Sequence, residues 1–232
     1  MISIFGLDGI GEVHDGDRLA TLIAAAADGA LEPGDVLVVT QKIVSKAEGR
    51  LVPVNPEDPL SAKALVEEES VRIVRRRGDL IISETQHGFI CANAGIDLSN
   101  VPSGYAALLP IDCDRSARRI RDGLRADLGF DVGIVISDTF GRPWRRGLTD
   151  VAIGVAGIAA VVDLRGTTDA LGRELQVTEV AVADEIAAAA ELVMGKSSGM
   201  PVAVVRGVDS SWLREASVAS EIIRPPAEDL FR

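Results

Sequence analysis

The residues best suited to chemistry in this sequence are an Asp-Thr pair and three arginines that follow it closely. Asp138 and Thr139 offer a carboxylate and a hydroxyl, the oxygen ligands that hard divalent cations prefer. Arg142, Arg145 and Arg146 come next. Guanidinium groups beside a carboxylate-bound metal suit phosphoryl transfer, because negative charge develops on the phosphate oxygens and must be neutralised in place. The same spacing also fits a solvated basic turn, so two interpretations remain open.

An apolar run determines where this cluster lies. Val132–Ile136 is short, rich in β-branched residues and unbroken, which predicts a strand buried on both faces of a parallel or mixed sheet. Ligands gather at the carboxyl ends of such strands. We therefore expect Asp138 at the rim of the sheet and the arginines on a loop broken by Gly141, Pro143 and Gly147.

Two further segments carry polar side chains. The segment 41–49, QKIVSKAEG, follows a predicted strand and could form a phosphate-binding turn, although its spacing is not that of a P-loop. Surface lysines after a strand are the alternative. The segment 94–100, AGIDLSN, contains Asp97, a second carboxylate that could share one or two divalent ions with Asp138. An Asx-turn, in which Asp97 binds its own backbone, explains the same residues.

An alanine-rich helix is predicted over Thr178–Met194, and a loop with glycine follows it. Asp184 and Glu185 are adjacent on this helix and point about 100° apart, so at most one of them reaches any one site. The loop Lys196–Gly199 could close over a nucleotide. Helix termination explains Gly195 without any ligand.

Composition limits the possible functions. The 232 residues are 47% hydrophobic, carry a formal charge of -11 and include only 3% aromatic residues, which argues against a general nucleic-acid binder. No apolar run reaches the roughly 18 to 20 residues of a membrane span, so we expect a soluble, cytoplasmic protein without membrane partners. Cys91 and Cys113 have no metal-ligand spacing, and His14 and His87 are too few for a multi-histidine site.

The order of predicted elements indicates an α/β or mixed α+β fold with mixed sheets and flanking helices. Strand-like runs lie at Ile2–Phe5, Val36–Val39, Leu80–Ser83, Phe89–Ala92, Ala106–Leu109, Val132–Ile136 and Val202–Val205. Helical patterns lie at Asp17–Asp28, Leu60–Arg77, Asp114–Leu128 and Thr178–Met194. The sequence has no internal repeat and no low-complexity linker.

Six ordered motifs together resemble the coenzyme F-420 gamma-glutamyl ligase family. They are GL near the start, VVTxKxVSKAEGR at 38–50, AGIDxSNV at 94–101, LLPxDxDxSA at 108–117, ISDTxGRxWRxG at 136–147 and VTEVAVADEIAAAAELVMGK at 177–196. The resemblance implies the unusual α/β fold of that family and an intertwined homodimer. It also implies one ligase domain over 1–232, with two subdomains as an option, and no nitroreductase-like domain after it.

The resemblance further implies an activity, cofactors and site residues. The activity is GTP-dependent joining of L-glutamate to the deazaflavin precursor F-420-0, followed by gamma-linked additions of glutamate. The implied cofactors are two divalent ions, Mg²⁺ or Mn²⁺, and K⁺ is a further candidate. The implied metal ligands are Asp97, Asp138 and Thr139. The implied GTP contacts are Leu7, Asp8, Gly9, Ile10, Gln41, Lys46, Asn100, Lys196, Ser197, Ser198 and Gly199.

A mechanism follows as a hypothesis. GTP phosphorylates the F-420-0 carboxylate, Lys46 and one of the three arginines stabilise the transferring phosphoryl group, and the glutamate amine captures the acyl phosphate. Glu48, Asp184 and Glu185 are the candidate general bases. A metal-dependent phosphatase or nucleotidase would need the same aspartates, and a non-catalytic GTP-binding module would retain GTP without consuming it.

Overall fold

Strands and helices alternate along residues 1–231, the part of the chain that the computed structural model describes. The strands are β1 (Ser3–Gly6), β2 (Val36–Thr40), β3 (Leu51–Pro53), β4 (Ser70–Arg77), β5 (Leu80–Thr85), β6 (Ile90–Ala92), β7 (Tyr105–Ala107), β8 (Gly133–Arg142), β9 (Arg145–Ala156), β10 (Val162–Asp163), β11 (Glu179–Val180) and β12 (Val202–Arg206). The helices are α1 (Leu19–Ala27), α2 (Gln41–Ala47), α3 (Pro59–Glu68), α4 (Cys113–Leu128), α5 (Val182–Met194) and α6 (Val218–Glu221).

The central sheet has five strands in the order β1-β12-β2-β8-β9. Strands β2 and β8 run parallel, and the other neighbouring pairs are antiparallel, which confirms the predicted mixed sheet. The last pair between β2 and β8 joins Thr40 to Ser137. Asp138 is therefore the first residue of β8 beyond the carboxyl end of β2, close to the predicted rim.

The core lies on both faces of this sheet. Consecutive residues of β2 and β12 are buried, as are residues 133–137 of β8 and 152–156 of β9. Because successive side chains of a strand point to opposite faces, both faces must be covered. Helices α4 and α5 pack against β9, and α1 packs against α4. No helix of the described residues is long and apolar enough to cross a membrane.

Three smaller sheets surround this core. They have the orders β4-β5-β6, β3-β7 and β10-β11. Strand β6 contacts β8, so the three-stranded sheet borders the end of the central sheet that carries Asp138. Cys91 in β6 and Cys113 in α4 are both buried free thiols.

The predicted helix over Leu60–Arg77 is wrong in its second half. Helix α3 ends at Glu68, and β4 then pairs antiparallel with β5. Val71, Ile73 and Val74 explain the difference, because β-branched side chains favour a pleated surface over a helix. The arginines at 75–77 thus lie on an exposed strand and do not end a helix.

Two predicted loops are regular structure. The segment after Asp138 continues as strand to Arg142, and only Pro143 and Trp144 separate it from β9, so a hairpin replaces the expected arginine loop. The predicted phosphate-binding turn at 41–49 is mostly helix α2. Ile43 and Val44 of this helix are buried, which shows that its apolar residues anchor it to the core.

Candidate functional site

Two aspartates lie within electrostatic range of Asp138, where the β8–β9 hairpin leaves the central sheet. Asp138 lies on β8, Asp150 lies opposite Thr139 on β9, and Asp97 follows a short 3-10 helix. The charges of Asp97 and Asp150 both act on Asp138. The sequence-predicted metal ligands Asp97 and Asp138 therefore lie in one region, and Thr139 follows Asp138 on β8.

Asp97 is held by a lysine and by its own loop. Its backbone forms a bridge to Ala107, and one carboxylate oxygen accepts hydrogen bonds from the backbone and hydroxyl of Ser99, each at 2.7 Å. The other oxygen lies 2.7 Å from Nζ of Lys42. Partial burial acts to raise the pKa of Asp97, but these bonds from Lys42 and Ser99 outweigh it and hold the pKa below its usual range. The Asx-turn interpretation is thus correct for the loop, and it leaves Asp97 ionised.

Asp138 has the opposite electrostatic environment. Desolvation of its carboxyl raises the pKa of Asp138 to about 7, and the negative charges of Asp97 and Asp150 raise this pKa further. The backbone N–H of Thr139 and the charge of Lys196 act in the opposite direction. Two carboxylates beside a desolvated third one disfavour its ionised form. A bound cation would relieve this repulsion, and for this reason Asp138 is the centre of the candidate site.

Asp150 is the site residue that the sequence interpretation missed. It is 3% exposed and accepts hydrogen bonds from Ser137 Oγ at 3.2 Å and from Thr139 Oγ1 at 2.6 Å. Nζ of Lys196 lies 3.1 Å from its carboxylate. The only sequence signal would have been a second strand after the arginines, since hairpin pairing places Asp150 directly beside Thr139.

Lys196 bridges this cluster from the loop after α5. Its ammonium donates to the hydroxyl of Thr139 and lies 3.1 Å from both Asp150 and Glu191. Partial burial lowers the pKa of Lys196, but its bonds to the two carboxylates outweigh that effect and raise it. Lys196 therefore remains charged near neutral pH.

A cleft of about 720 Å³ holds the buried lysine of α2. Lys46 is 7% exposed, and its Nζ lies 2.5 Å from a carboxylate oxygen of Glu12. Asn100 also lines the cleft and donates to the backbone carbonyl of Lys196 at 3.5 Å. The volume is within the range of about 300–1,000 Å³ typical of ligand pockets. The remaining lining residues are Val13, His14, Asp15, Gly49, Leu51, Val101 and Pro102.

The other predicted nucleotide contacts lie in different parts of the structure and do not line the cleft. Gln41 is buried, and its side chain accepts a hydrogen bond from Ser45 at 2.8 Å within α2. The hydroxyl of Ser198 donates to the carbonyl of Met194 and so terminates α5, while Ser197 and Gly199 are exposed on the same loop. Leu7–Ile10 follows β1 and does not line the cleft, whose amino-terminal wall is 12–15. These contacts stay predictions.

The three arginines are at the far end of the hairpin. Arg142 donates to the carbonyls of Arg146, at 2.5 Å, and of Gly147, at 3.4 Å, so it stabilises the turn itself. Arg145 and Arg146 are exposed. At roughly 3.3 Å per residue, Arg142 lies about 13 Å along the strand from Asp138. The structure does not bring the arginines to the aspartate cluster within one chain.

None of the three candidate bases joins the aspartates. Glu48 accepts a hydrogen bond from Ser116 Oγ at 2.6 Å and lines a separate cleft between α1, α2 and α4. Asp184 accepts the backbone N–H of Ala152 at 2.9 Å, which ties α5 to β9. Glu185 is exposed on α5.

The donor set fits a divalent ion that is bound together with a phosphate ligand. Among residues 1–231, no three His, Cys, Asp or Glu side chains converge as a ready-made metal cage. Mg²⁺ in nucleotide sites is commonly held by one or two carboxylates together with phosphates and water. Asp97 and Asp138 provide such a pair of carboxylates. Asp97 would bind the ion while it also forms its ion pair with Lys42.

The family comparison matches most of the chain. A model of the family described as F420-0:Gamma-glutamyl ligase matches residues 9–207. That range includes all three aspartates, the cleft residues and Lys196.

Curated relatives match over nearly their whole length. The coenzyme F420:L-glutamate ligase of Methanopyrus kandleri is 45% identical, over 95% of this chain and 94% of the relative. The proteins of the same name from Methanothermobacter thermautotrophicus and Methanocaldococcus jannaschii are 43% and 37% identical, covering 100% and 95% of this chain and 99% and 93% of the relatives. The chain belongs to the F420-0:gamma-glutamyl ligase family.

Proposed function

We propose that this protein is a GTP-dependent ligase that joins L-glutamate to F-420-0 and then adds gamma-linked glutamates. The relatives' names specify coenzyme F420 and L-glutamate, and family membership supports the same substrates here. The observation that carries the proposal is the desolvated Asp138 between two further aspartates, next to a cleft with a buried lysine.

Contacts link the cleft to the aspartates. Asn100 lines the cleft and binds the backbone of Lys196, whose ammonium binds Asp150. A nucleotide in the cleft could therefore extend its phosphates from Lys46 toward Asp97 and Asp138. Magnesium or manganese, when bound there, would neutralise the negative charge that develops on the phosphate oxygens.

The amide bond requires activation because oxide is not a leaving group at neutral pH. In the proposed reaction, a carboxylate oxygen of F-420-0 attacks the γ-phosphorus and GDP leaves. The unprotonated glutamate amine then attacks the acyl carbon, inorganic phosphate leaves, and the proton lost by the nitrogen passes to the phosphate or to solvent. Lys46 would hold phosphate oxygens once it separates from Glu12, and the low exposure of Asp150 and Lys46 would limit water access.

We further propose that the protein is a homodimer joined through the β8–β9 hairpin. Trp144 is 75% exposed at its turn, and Leu148 is 69% exposed on β9. Phe231 is 76% exposed, and its ring centroid lies 4.9 Å from that of Trp144 in a tilted arrangement. Neighbouring exposed aromatic and aliphatic side chains are typical of association surfaces. A second copy is the partner that the family resemblance implies.

Product analysis tests the proposed function. Purified protein is incubated with GTP, Mn²⁺, L-glutamate and F-420-0, and the product is weighed by mass spectrometry. We expect a gain of glutamyl residues that requires all four components. Phosphate release without glutamate would indicate a phosphatase, while GTP binding without turnover would indicate a non-catalytic module.

A further inference from the structure

The Lys196 ammonium contacts the hydroxyl of Thr139, one of the implied metal ligands, and the carboxylate of Asp150. It donates to the Thr139 hydroxyl and lies 3.1 Å from Asp150 and 3.1 Å from Glu191. These three groups provide the oxygen ligands on that side of the cluster. A divalent ion bound to the same oxygens would therefore meet a positive charge within a few ångströms.

The backbone around Lys196 is anchored on two sides. Asn100 donates to the carbonyl of Lys196, and the hydroxyl of Ser198 caps the last turn of α5 through Met194. The lysine is thus presented from a loop that is tied both to the Asp97 segment and to the helix end. These contacts favour a Lys196 ammonium that stays bound at the cluster over one that is bound there only transiently.

Charge balance leads to the same conclusion. The carboxylates of Asp97, Asp138, Asp150 and Glu191 face the ammonium groups of Lys42 and Lys196. Asp97 pairs with Lys42, and Asp150 and Glu191 pair with Lys196, so three of these four carboxylates already have a cation beside them. Asp138 has no lysine or arginine within ion-pair distance among the described residues, so the single ion belongs beside it.

We infer that Lys196 serves as a tethered cation in place of a second divalent ion, so that each chain binds one divalent ion, between Asp97 and Asp138. This inference rests on the proposed function, which places nucleotide phosphates at the same cluster. It differs from the two ions that the family resemblance implies. The consequence is that the charge beside Asp150 is fixed by the chain and does not depend on metal concentration.

Manganese stoichiometry tests this inference without any turnover. Mn²⁺ bound per chain is measured by equilibrium dialysis and electron paramagnetic resonance with a non-hydrolysable GTP analogue, in wild type, K196E and K63E. K63E makes the same charge change at a surface pair with Asp79, whose side chain is 95% exposed. We expect one ion in wild type and K63E and two in K196E, with a dipolar-coupled signal for the pair. Thermal unfolding checks that each variant is folded.

The outcomes separate this inference from the proposed function. Two ions per wild-type chain, or one ion in folded K196E, would overturn the role of Lys196 and leave the proposed ligase intact. Failure of wild type to bind any Mn²⁺ with the nucleotide would contradict both.

Discussion

Asp138, the proposed metal ligand, has a carboxylate whose burial costs stability. Its carboxyl is desolvated and lies beside Asp97 and Asp150, so the pKa rises to about 7. A carboxylate whose charged form is disfavoured in the folded protein destabilises the fold. A bound cation would stabilise that charged form, so such a carboxylate is a good candidate for a cation ligand. Lys42 and Lys196 neutralise its two neighbours and leave Asp138 for the ligand.

Asp138→Asn should therefore have opposite effects on activity and on stability. We expect turnover to fall about 100-fold or more, because the carboxylate proposed to bind the metal is lost. The free energy of unfolding without ligand should rise by about 1–3 kcal/mol at pH 8, since the buried charge is removed. Steady-state kinetics and denaturant titration measure the two effects.

The pH dependence of this stability difference has a definite sign. A carboxyl whose folded pKa is raised contributes stability below its unfolded pKa and loses that contribution as pH rises toward the folded value. The gap between Asp138→Asn and wild type should be small near pH 3, grow between about pH 4 and 7, and then level off. A gap that is constant over this range would refute the assigned environment of Asp138.

Substitutions of Lys46 and of Glu12 should have different effects on GTP binding in the cleft. Lys46→Gln should weaken GTP binding about 10- to 100-fold, because a hydrogen bond to a charged phosphate is lost. Glu12→Gln should not weaken it, since it removes only the carboxylate that competes for Lys46. Isothermal titration calorimetry with a GTP analogue provides the comparison. Unchanged affinity in folded Lys46→Gln would remove this lysine from the proposed site.

At the scale of elements, α4 and β9 fix the position of the hairpin. A side chain at Gly154 would place its Cβ 2.5 Å from the carbonyl carbon and oxygen of Cys113, the first residue of α4. Asp114 reinforces this contact by accepting the backbone N–H groups of Val155 and Val218, at 2.9 and 3.0 Å. The strand that carries Asp150 is thus clamped by helix backbone.

Gly154→Ala should lower the free energy of unfolding by about 1–3 kcal/mol, because helix and strand must separate to admit a methyl group. Gly141→Ala is the matched control on the same hairpin, where an added Cβ meets no atom within 4 Å. Urea unfolding monitored by circular dichroism measures both. Equal stabilities of the two variants would show that the close contact between Gly154 and Cys113 does not make the alanine substitution destabilising.

Sequence patterns predicted the core strands well and the connections less well. Val132–Ile136 is apolar at every position and is fully buried, as are 36–39 of β2 and 202–205 of β12. The segment 60–77 has helix formers beside β-branched residues, and pairing with β5 decided in favour of a strand from Ser70. Asp97 and Asp138 could be predicted because each lies in a recognisable motif. Asp150 could not, because its role depends on hairpin register.

At the scale of the whole molecule, the exposed hairpin turn predicts self-association. We expect a homodimer by size-exclusion chromatography with light scattering. Trp144→Ser should shift it toward monomer, because the exposed indole at the turn is removed. Leu171→Ser is the control, since Leu171 is 81% exposed on a separate turn. A wild-type protein that is monomeric at micromolar concentration would contradict the proposed dimer.

Oxygen transfer tests most directly whether GTP activates the carboxylate of F-420-0. F-420-0 labelled with ¹⁸O in its carboxylate is incubated with GTP, Mn²⁺ and L-glutamate, and the released phosphate is analysed by mass spectrometry. We expect one ¹⁸O atom in the phosphate released with the first glutamyl addition. Later additions should release unlabelled phosphate, because they activate the unlabelled γ-carboxylate of the glutamate already added. Unlabelled phosphate from the first addition would contradict the proposed activation.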